Sequence, residues 1–351
     1  MSDALQVAAE LLRVARVEQV AELGGSRRSV VRRVRAGTKT FIVKEYLQPE
    51  EMTWSREAAG LKAAAGVRAP RLVGVSEDPA VVVMSDLGSG GNLADALLGT
   101  AADYGASGVL SWAEAIGELQ AYAADRLDVF REALADGVRV DSTVAELEDA
   151  SEAIGEICAE ADLPWDESVR SLLAEALEPL LDESGLALTP GDPCPDNNLI
   201  SADGLTLLDF EFAEIRHRAW EAAYLRVPWP SCWCAWQVPD GLSRIALDAY
   251  VGAAFGVQGP PETFERDVDL ATLLWCIDTC TWYLRAALGP WKPHNTDDDR
   301  IPGRRTLVLS RLDLATRLPG PEPLVGWVGA LRTELVARWG EHPLRLAPAF
   351  R

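Results

Sequence analysis

"LTPGDPCPDNNLI" (residues 188–200), followed through "SADGLT" by "LLDFEFAE" (207–214), is the stretch that decides the reading of this chain. It sets proline, glycine, acids and amides between two apolar runs, then places a further acid at the end of the second run. "SADG" (201–204) reads as a hairpin turn, with Asp203-Gly204 supplying positive φ. "NLIS" and "LTLLDF" then pair across it. That brings Asn197, just before one strand, close to Asp209 at the end of the other, and Asp192 on the preceding loop faces the same point. A carboxylate, an amide oxygen and a second carboxylate are hard oxygen ligands, suited to Mg²⁺ and not to Zn²⁺. With so few protein ligands, Mg²⁺ completes its shell with water and nucleotide phosphates. Taken singly, Asp192 and Asn197 are turn formers and Asp209 a strand-end cap. Three at this spacing call for a shared role.

Upstream, "MSDALQVAAELLRVARVEQV" reads as an amphipathic helix, without the basic and apolar regions of a secretion signal. Glu22 to Ser26 are turn-like. "SVVRRVR" and "TFIVKEY" form a hairpin around "AGTK", and "PEEMTWSREAAGLKAAAG" is a helix ending at Gly66. "APRLVGVSED" and "AVVVMSDLG" add two strands. "GSGGN" (88–92) is a glycine-rich break, read as a hinge. Beyond it the periodicity is helical, apart from the β-rich patch around Asp192. The expectation is an α+β chain of two lobes. An antiparallel-sheet N-lobe with its leading helix spans 1–87 and a large, mainly helical C-lobe spans 93–351, with ligand held in the cleft between them.

Composition narrows the partners. The chain has 351 residues, 48% hydrophobic, with a net charge of −21. No apolar run is long enough for a membrane helix. Residues 1–50 carry +3 and the remainder −24, which argues against nucleic acid or an anionic membrane as the main partner. Solubility alone explains such acidity as readily as a second binding surface does. Six cysteines without a secretion signal read as reduced, buried core thiols of a cytoplasmic protein, including the closely spaced pairs in "CWC" and "CIDTC".

"GDPCPDNNLI" with "LLDFEFA" resembles the "HGD-x4-N" and "D-[FWY]-E" pair of the aminoglycoside phosphotransferase-like kinases. The resemblance covers residues 20–225 and implies a protein-kinase-like fold. It implies that Asp192 is the catalytic acid accepting the proton of a substrate hydroxyl, and that Asn197 and Asp209 hold Mg²⁺ on the phosphates of ATP or GTP. "LGGSRRSVVRRV" is similar to the family's nucleotide loop, which gives Gly24, Gly25 and Ser26 to the phosphates. Lys44 in "FIVKEY" would contact the phosphates and Glu57 in "SREAAGL" would pair with it. Met84 would line the adenine pocket, with backbone groups of Ser85 and Leu87 bonding the base. Glu221 stands where these kinases often carry a further acid at a helix start.

The implied activity is O-phosphorylation of a small hydroxylated molecule. The acidic remainder suits a cationic acceptor such as an aminoglycoside or another antibiotic, contacted through Glu214, Glu221, Asp278 or the Asp297–Asp299 run; a monomer or homodimer is expected. Twelve tryptophans serve either as core or as stacking faces for such a ligand. A choline-, homoserine- or amino-sugar-type kinase is an alternative. A non-catalytic nucleotide binder is another, because Pro190 stands where the family has His, and proline donates no hydrogen bond.

Overall fold

The computed structural model describes residues 3–289, 298 and 300–351. Helix α1 (Asp3–Leu11) leads into strands β1 (Glu18–Gly25), β2 (Ser29–Ala36) and β3 (Lys39–Tyr46). Helix α2 (Thr53–Ala64) and the hairpin β4 (Leu72–Glu77) and β5 (Ala80–Ser85) follow. The five strands form one antiparallel sheet in the order β1-β2-β3-β5-β4.

Alternation along β5 explains how this sheet is covered. Val81 and Val83 join Ala4, Leu5 and Ala8 of α1 in a small outer core, whereas Ala80, Val82 and Met84 point the other way into the main core. Across the ladder Lys44 pairs with Val82, and Ile42 with Met84, so Lys44 shares the inner face. A charged side chain is thereby built into an apolar surface, where it needs buried partners.

The helical part comprises α3 (Leu93–Leu98), α4 (Ala102–Ala123), α5 (Leu127–Ala133), α6 (Thr143–Glu160) and α7 (Ser168–Leu177), then, after a β-rich interlude, α8 (Ala219–Ala223), α9 (Asp240–Phe255), α10 (Phe264–Leu288), α11 (Arg304–Ala315) and α12 (Glu322–Trp339). The interlude holds β6 (Leu186–Thr189) paired with β9 (Glu214–His217), and β7 (Asn198–Ser201) paired with β8 (Gly204–Leu207). The expected α+β arrangement, with a small antiparallel sheet ahead of a mainly helical remainder, is the one observed. Trp54, Trp112, Trp220, Trp229, Trp236, Trp275 and Trp327 are buried, so seven of the twelve tryptophans serve the core, while Trp282 stays half exposed.

Three local readings need correction. The first helix ends at Leu11, and residues read as helix and turn form β1 instead. Seven of the eight β1 residues are exposed, so no apolar alternation marked it. β8 stops at Leu207, and Asp209 lies beyond it with φ +60°, a left-handed conformation that Asp tolerates. Cys194 and Cys232 are joined as a disulfide with Cα atoms 5.7 Å apart, whereas Cys158, Cys234, Cys276 and Cys280 are free and buried as expected. The pair lies 38 residues apart, and only the fold of the loop after α8 brings it together.

Candidate functional site

The first half of the site is a buried ion cluster on β3 and α2. Lys44 Nζ lies 2.7 Å from Glu57 Oε2, 2.6 Å from Asp209 Oδ1 and 3.0 Å from Glu211 Oε2. Tyr46 donates from its hydroxyl to Glu57 Oε2 at 2.5 Å, and the Phe210 backbone N–H donates to Glu57 Oε1 at 3.2 Å. Burial alone would weaken the Lys44 charge, but Glu57, Asp209 and Glu211 outweigh it and its pKa is raised. Glu211 is pushed up by burial and by the charge of Asp209, against the pull of Lys44 and Arg28. Gly60, one turn after Glu57, makes this approach possible. A Cβ there would sit 2.8 Å from both Phe210 Cδ1 and Ala213 Cβ, so only glycine lets α2 lie on the 209–213 segment.

The second half is the loop of residues 190–197. Gly191 has φ +85°, and a Cβ at that position would meet Phe212 O at 1.9 Å. The carbonyls of this proline-rich loop are tied one by one. Trp112 Nε1 donates to Pro193 O at 2.9 Å, Asn198 Nδ2 and the Ala94 N–H to Pro195 O at 2.8 Å each, and Asn197 Nδ2 to Asp192 O at 2.9 Å. Donating through its nitrogen leaves the Asn197 amide oxygen for another partner. Burial, with a smaller push from Asp209 and Asp196, raises the Asp192 carboxyl to about 6 against the hydrogen bond from Ser231.

The brace expected from the family His is supplied differently. Thr189 donates to Glu221 Oε1 at 2.6 Å and accepts from the Gly191 N–H at 2.9 Å. Arg216 reaches Glu221 at 2.6 Å and Glu214 at 2.9 Å, and all three side chains are buried. Glu214 also accepts from the Ser142 hydroxyl and N–H. Glu214 and Glu221 are therefore both engaged by protein groups. Asp278 differs: it is buried, and among the described residues no cation pairs with it. Burial pushes its carboxyl up to about 7; the charge of Glu146 adds to this, while Arg311, a hydrogen bond from Trp282 and Arg216 oppose it. Of the Asp297–Asp299 run, only Asp298 falls within the described residues, where it accepts from the N–H groups of Arg300 and Ile301 at 2.6 Å.

Between the sheet and the helical part lies a cleft of about 780 Å³. Gly24, Gly25 and Ser26 line it on one side, Met84, Ser85 and Leu87 on another, and Lys44, Glu57, Asn197 and Asp209 at its base. Arg28 also lines it, paired with Glu211 at 2.7 Å and with its guanidinium 4.9 Å from the Phe212 ring centroid. Asp192 is not among the residues that line it. The "GSGGN" segment is pinned, since the Ile200 N–H donates to Gly91 O at 2.8 Å. Sequence reading missed Arg28, Glu211, Arg216 and Ser231. Glu211 was within reach through the acid of "DFE"; Ser231 carried no signal.

No protein-family model matches the chain, and no curated protein matches it in sequence. Solved structures do match. A putative aminoglycoside phosphotransferase from Ralstonia eutropha JMP134 aligns with a TM-score of 0.54 and 13% identity, over 95% of this chain and 98% of that one. Choline kinase from Cryptosporidium parvum Iowa II aligns at 0.52 and 12% identity, over 91% and 93%. The streptomycin–ATP–APH(2")-IIa ternary complex aligns at 0.52 and 12% identity, over 82% and 95%. The fold is that of the protein-kinase-like small-molecule kinases. At these identities the likeness is one of architecture, and chemistry must be argued from the side chains.

Proposed function

We propose that this chain is a Mg²⁺-dependent O-phosphotransferase that uses ATP or GTP to phosphorylate a hydroxyl of a small cationic molecule. The observation that carries the reading is the convergence of Lys44, Glu57, Asp209 and Asn197 at the base of a cleft walled by Gly24–Ser26 and Met84–Leu87. In it, the nucleotide lies with its base against Met84, bonded by backbone groups of Ser85 and Leu87, and its phosphates under the glycine loop. Lys44, fixed by Glu57, holds the phosphates. Asn197 and Asp209, with Glu211 beside them, are an all-oxygen donor set that fits Mg²⁺. When bound, the ion neutralises charge on the phosphate oxygens.

Asp192 then accepts the proton of the acceptor hydroxyl. A carboxyl near 6 is ionised at neutral pH yet basic enough to serve. The acceptor enters from the helical side, where Asp278 lies buried without a cation and Trp282 offers an exposed ring. Both suit an amine-bearing ligand such as an aminoglycoside or another antibiotic. The charge of −24 beyond residue 50 would draw such a ligand in. The 1–87 and 93–351 lobes with a 88–92 hinge, a cytoplasmic location and a monomeric or homodimeric state belong to the same reading. Among the described residues no helix is long and apolar enough to cross a membrane.

A non-catalytic nucleotide binder is the rival, motivated by Pro190. The Thr189–Glu221–Arg216 network speaks against it, because it anchors the loop without a His. Transfer of label from [γ-³²P]ATP, screened over hydroxylated amines that include aminoglycosides, choline and amino sugars, tests the proposal. Label in a product, lost in Asp192→Asn, is expected. Tight Mg·ATP binding with no product across the panel would favour the binder.

A further inference from the structure

Asp192 is held by a neighbour from a distant segment. The Ser231 hydroxyl donates to Asp192 Oδ1 at 2.8 Å, and Ser231 shares a 2.9 Å hydroxyl–hydroxyl hydrogen bond with the fully buried Tyr224. Ser231 immediately precedes Cys232, and Cys232 is bonded to Cys194, two residues beyond Asp192. Covalent bond and hydrogen bond thus close a small ring: Asp192, Cys194, Cys232, Ser231, and back to the carboxylate. The Cys194 sulfur lies 3.1 Å from the same Oδ1. Arg311 anchors the far side of the ring by donating to Pro230 O at 2.6 Å. Both half-cystines are buried, at 4% and 1% exposure.

We propose that the Cys194–Cys232 bond is a thiol–disulfide control on phosphoryl transfer, acting through Ser231 as a positioning residue for Asp192. This rests on Asp192 being the proton acceptor of the phosphotransferase reading above. The chemistry balances as ordinary exchange with a protein dithiol. The S–S bond takes up two electrons and two protons, Cys194 and Cys232 become thiols, and the dithiol becomes a disulfide. Bonded sulfurs sit about 2.05 Å apart, whereas non-bonded heavy atoms need roughly 3.5–4 Å. The two sulfurs must therefore separate on reduction, which removes the covalent restraint two residues from Asp192 and leaves Ser231, adjacent to Cys232, free to shift off the carboxylate. A misplacement of about 1 Å in a reacting group costs about 10²-fold in rate. Lys44, Glu57 and Asp209 lie on other segments and keep their hold on the nucleotide, while Asn197, whose N–H donates to Cys194 O at 2.9 Å, shares the loop and feels the change more weakly than Asp192. Because the sulfurs are buried, exchange has to wait for the 229–236 loop to open.

The chain is tested with Mg²⁺ and [γ-³²P]ATP, taking water as acceptor. Maleimide labelling in denaturant should mark four cysteines without reductant and six after it. Reduction should lower turnover about 10²-fold with KM for ATP changed far less, and diamide should restore it. Cys232→Ser should be slow and indifferent to reductant, Ser231→Ala slow in both states, and Ser231→Thr close to oxidised wild type. If Cys232→Ser does not fold, the redox titration of the wild-type chain carries the same information. Six cysteines marked without reductant, or equal turnover in the two states with Mg·ATP still bound, overturns the control alone. Absence of Mg·ATP binding in the oxidised chain overturns the phosphotransferase reading and the control with it.

Discussion

Replacing Asp278 by Asn should make the protein more stable at alkaline pH and leave it nearly unchanged at acid pH. Burial raises the Asp278 carboxyl from 3.8 to about 7. In that window the folded chain holds a proton that the unfolded chain has lost, so stability falls as pH rises from about 4 to about 7 and is flat above. A shift of about three units corresponds to at most about 4 kcal/mol. Asn keeps the volume and the polar contacts but does not ionise. Urea unfolding of both proteins at pH 5 and pH 8 should therefore show the Asn variant ahead by about 3 kcal/mol more at the higher pH. Asp192 also ionises late, but it does so in both chains and cancels in the comparison. The groups facing Asp278 are Glu146, Arg311, Trp282 and Arg216, and the substitution removes none of them. Parallel stability–pH curves would refute the reasoning, because they would mean that the carboxylate is not desolvated in the fold. The same charge is what a cationic acceptor would stabilise: its binding should strengthen above pH 7 in the wild-type chain and not in the variant.

The other predictions concern the cleft and its loop. Asp192→Asn should lower transfer by about 10² to 10⁴ while Mg·ATP affinity, read by calorimetry, stays within a few-fold. Asp209→Ala should abolish the dependence of nucleotide affinity on Mg²⁺ and Asn197→Ala should weaken it; a titration unchanged in both would place the ion elsewhere. Thr189→Val strips the Gly191 N–H and Glu221 of a shared hydroxyl, which should cost about 1–3 kcal/mol in unfolding free energy and slow transfer. Pro190→Gly, by loosening the same loop, should slow transfer without unfolding the chain, and equal rates would show that proline rigidity adds nothing.

What the sequence made readable was what lies close together along it. Asp192, Asn197 and Asp209 sit on one loop and one hairpin, and the Asp203-Gly204 turn betrayed that hairpin directly. Lys44 and Glu57 could be placed on a strand and the next helix for the same reason, and the structure brings them to 2.7 Å. β1 was hidden because its exposed strand has no inner face to alternate. Ser231 and the Cys194–Cys232 bond depend on how the irregular 229–236 segment folds back, and no periodicity governs that path. Arg216 carried no signal along the sequence. Only the pairing of β6 with β9 carries it into the interior between Glu214 and Glu221.

The seating of α2 decides how the cleft can exchange its contents. Ser55 Oγ accepts from the Ala135 N–H at 2.7 Å, Arg56 donates to Ala213 O at 2.9 Å, and Arg126 donates to Ala63 O at 2.8 Å. With Gly60 wedged on Phe210, this helix is fastened along its length to the part of the chain that follows the sheet. These three bonds and the Gly60 contact would all have to break before α2 could rotate Glu57 away from Lys44. Amide exchange along α2 should therefore keep pace with α5 rather than with β1 and β2.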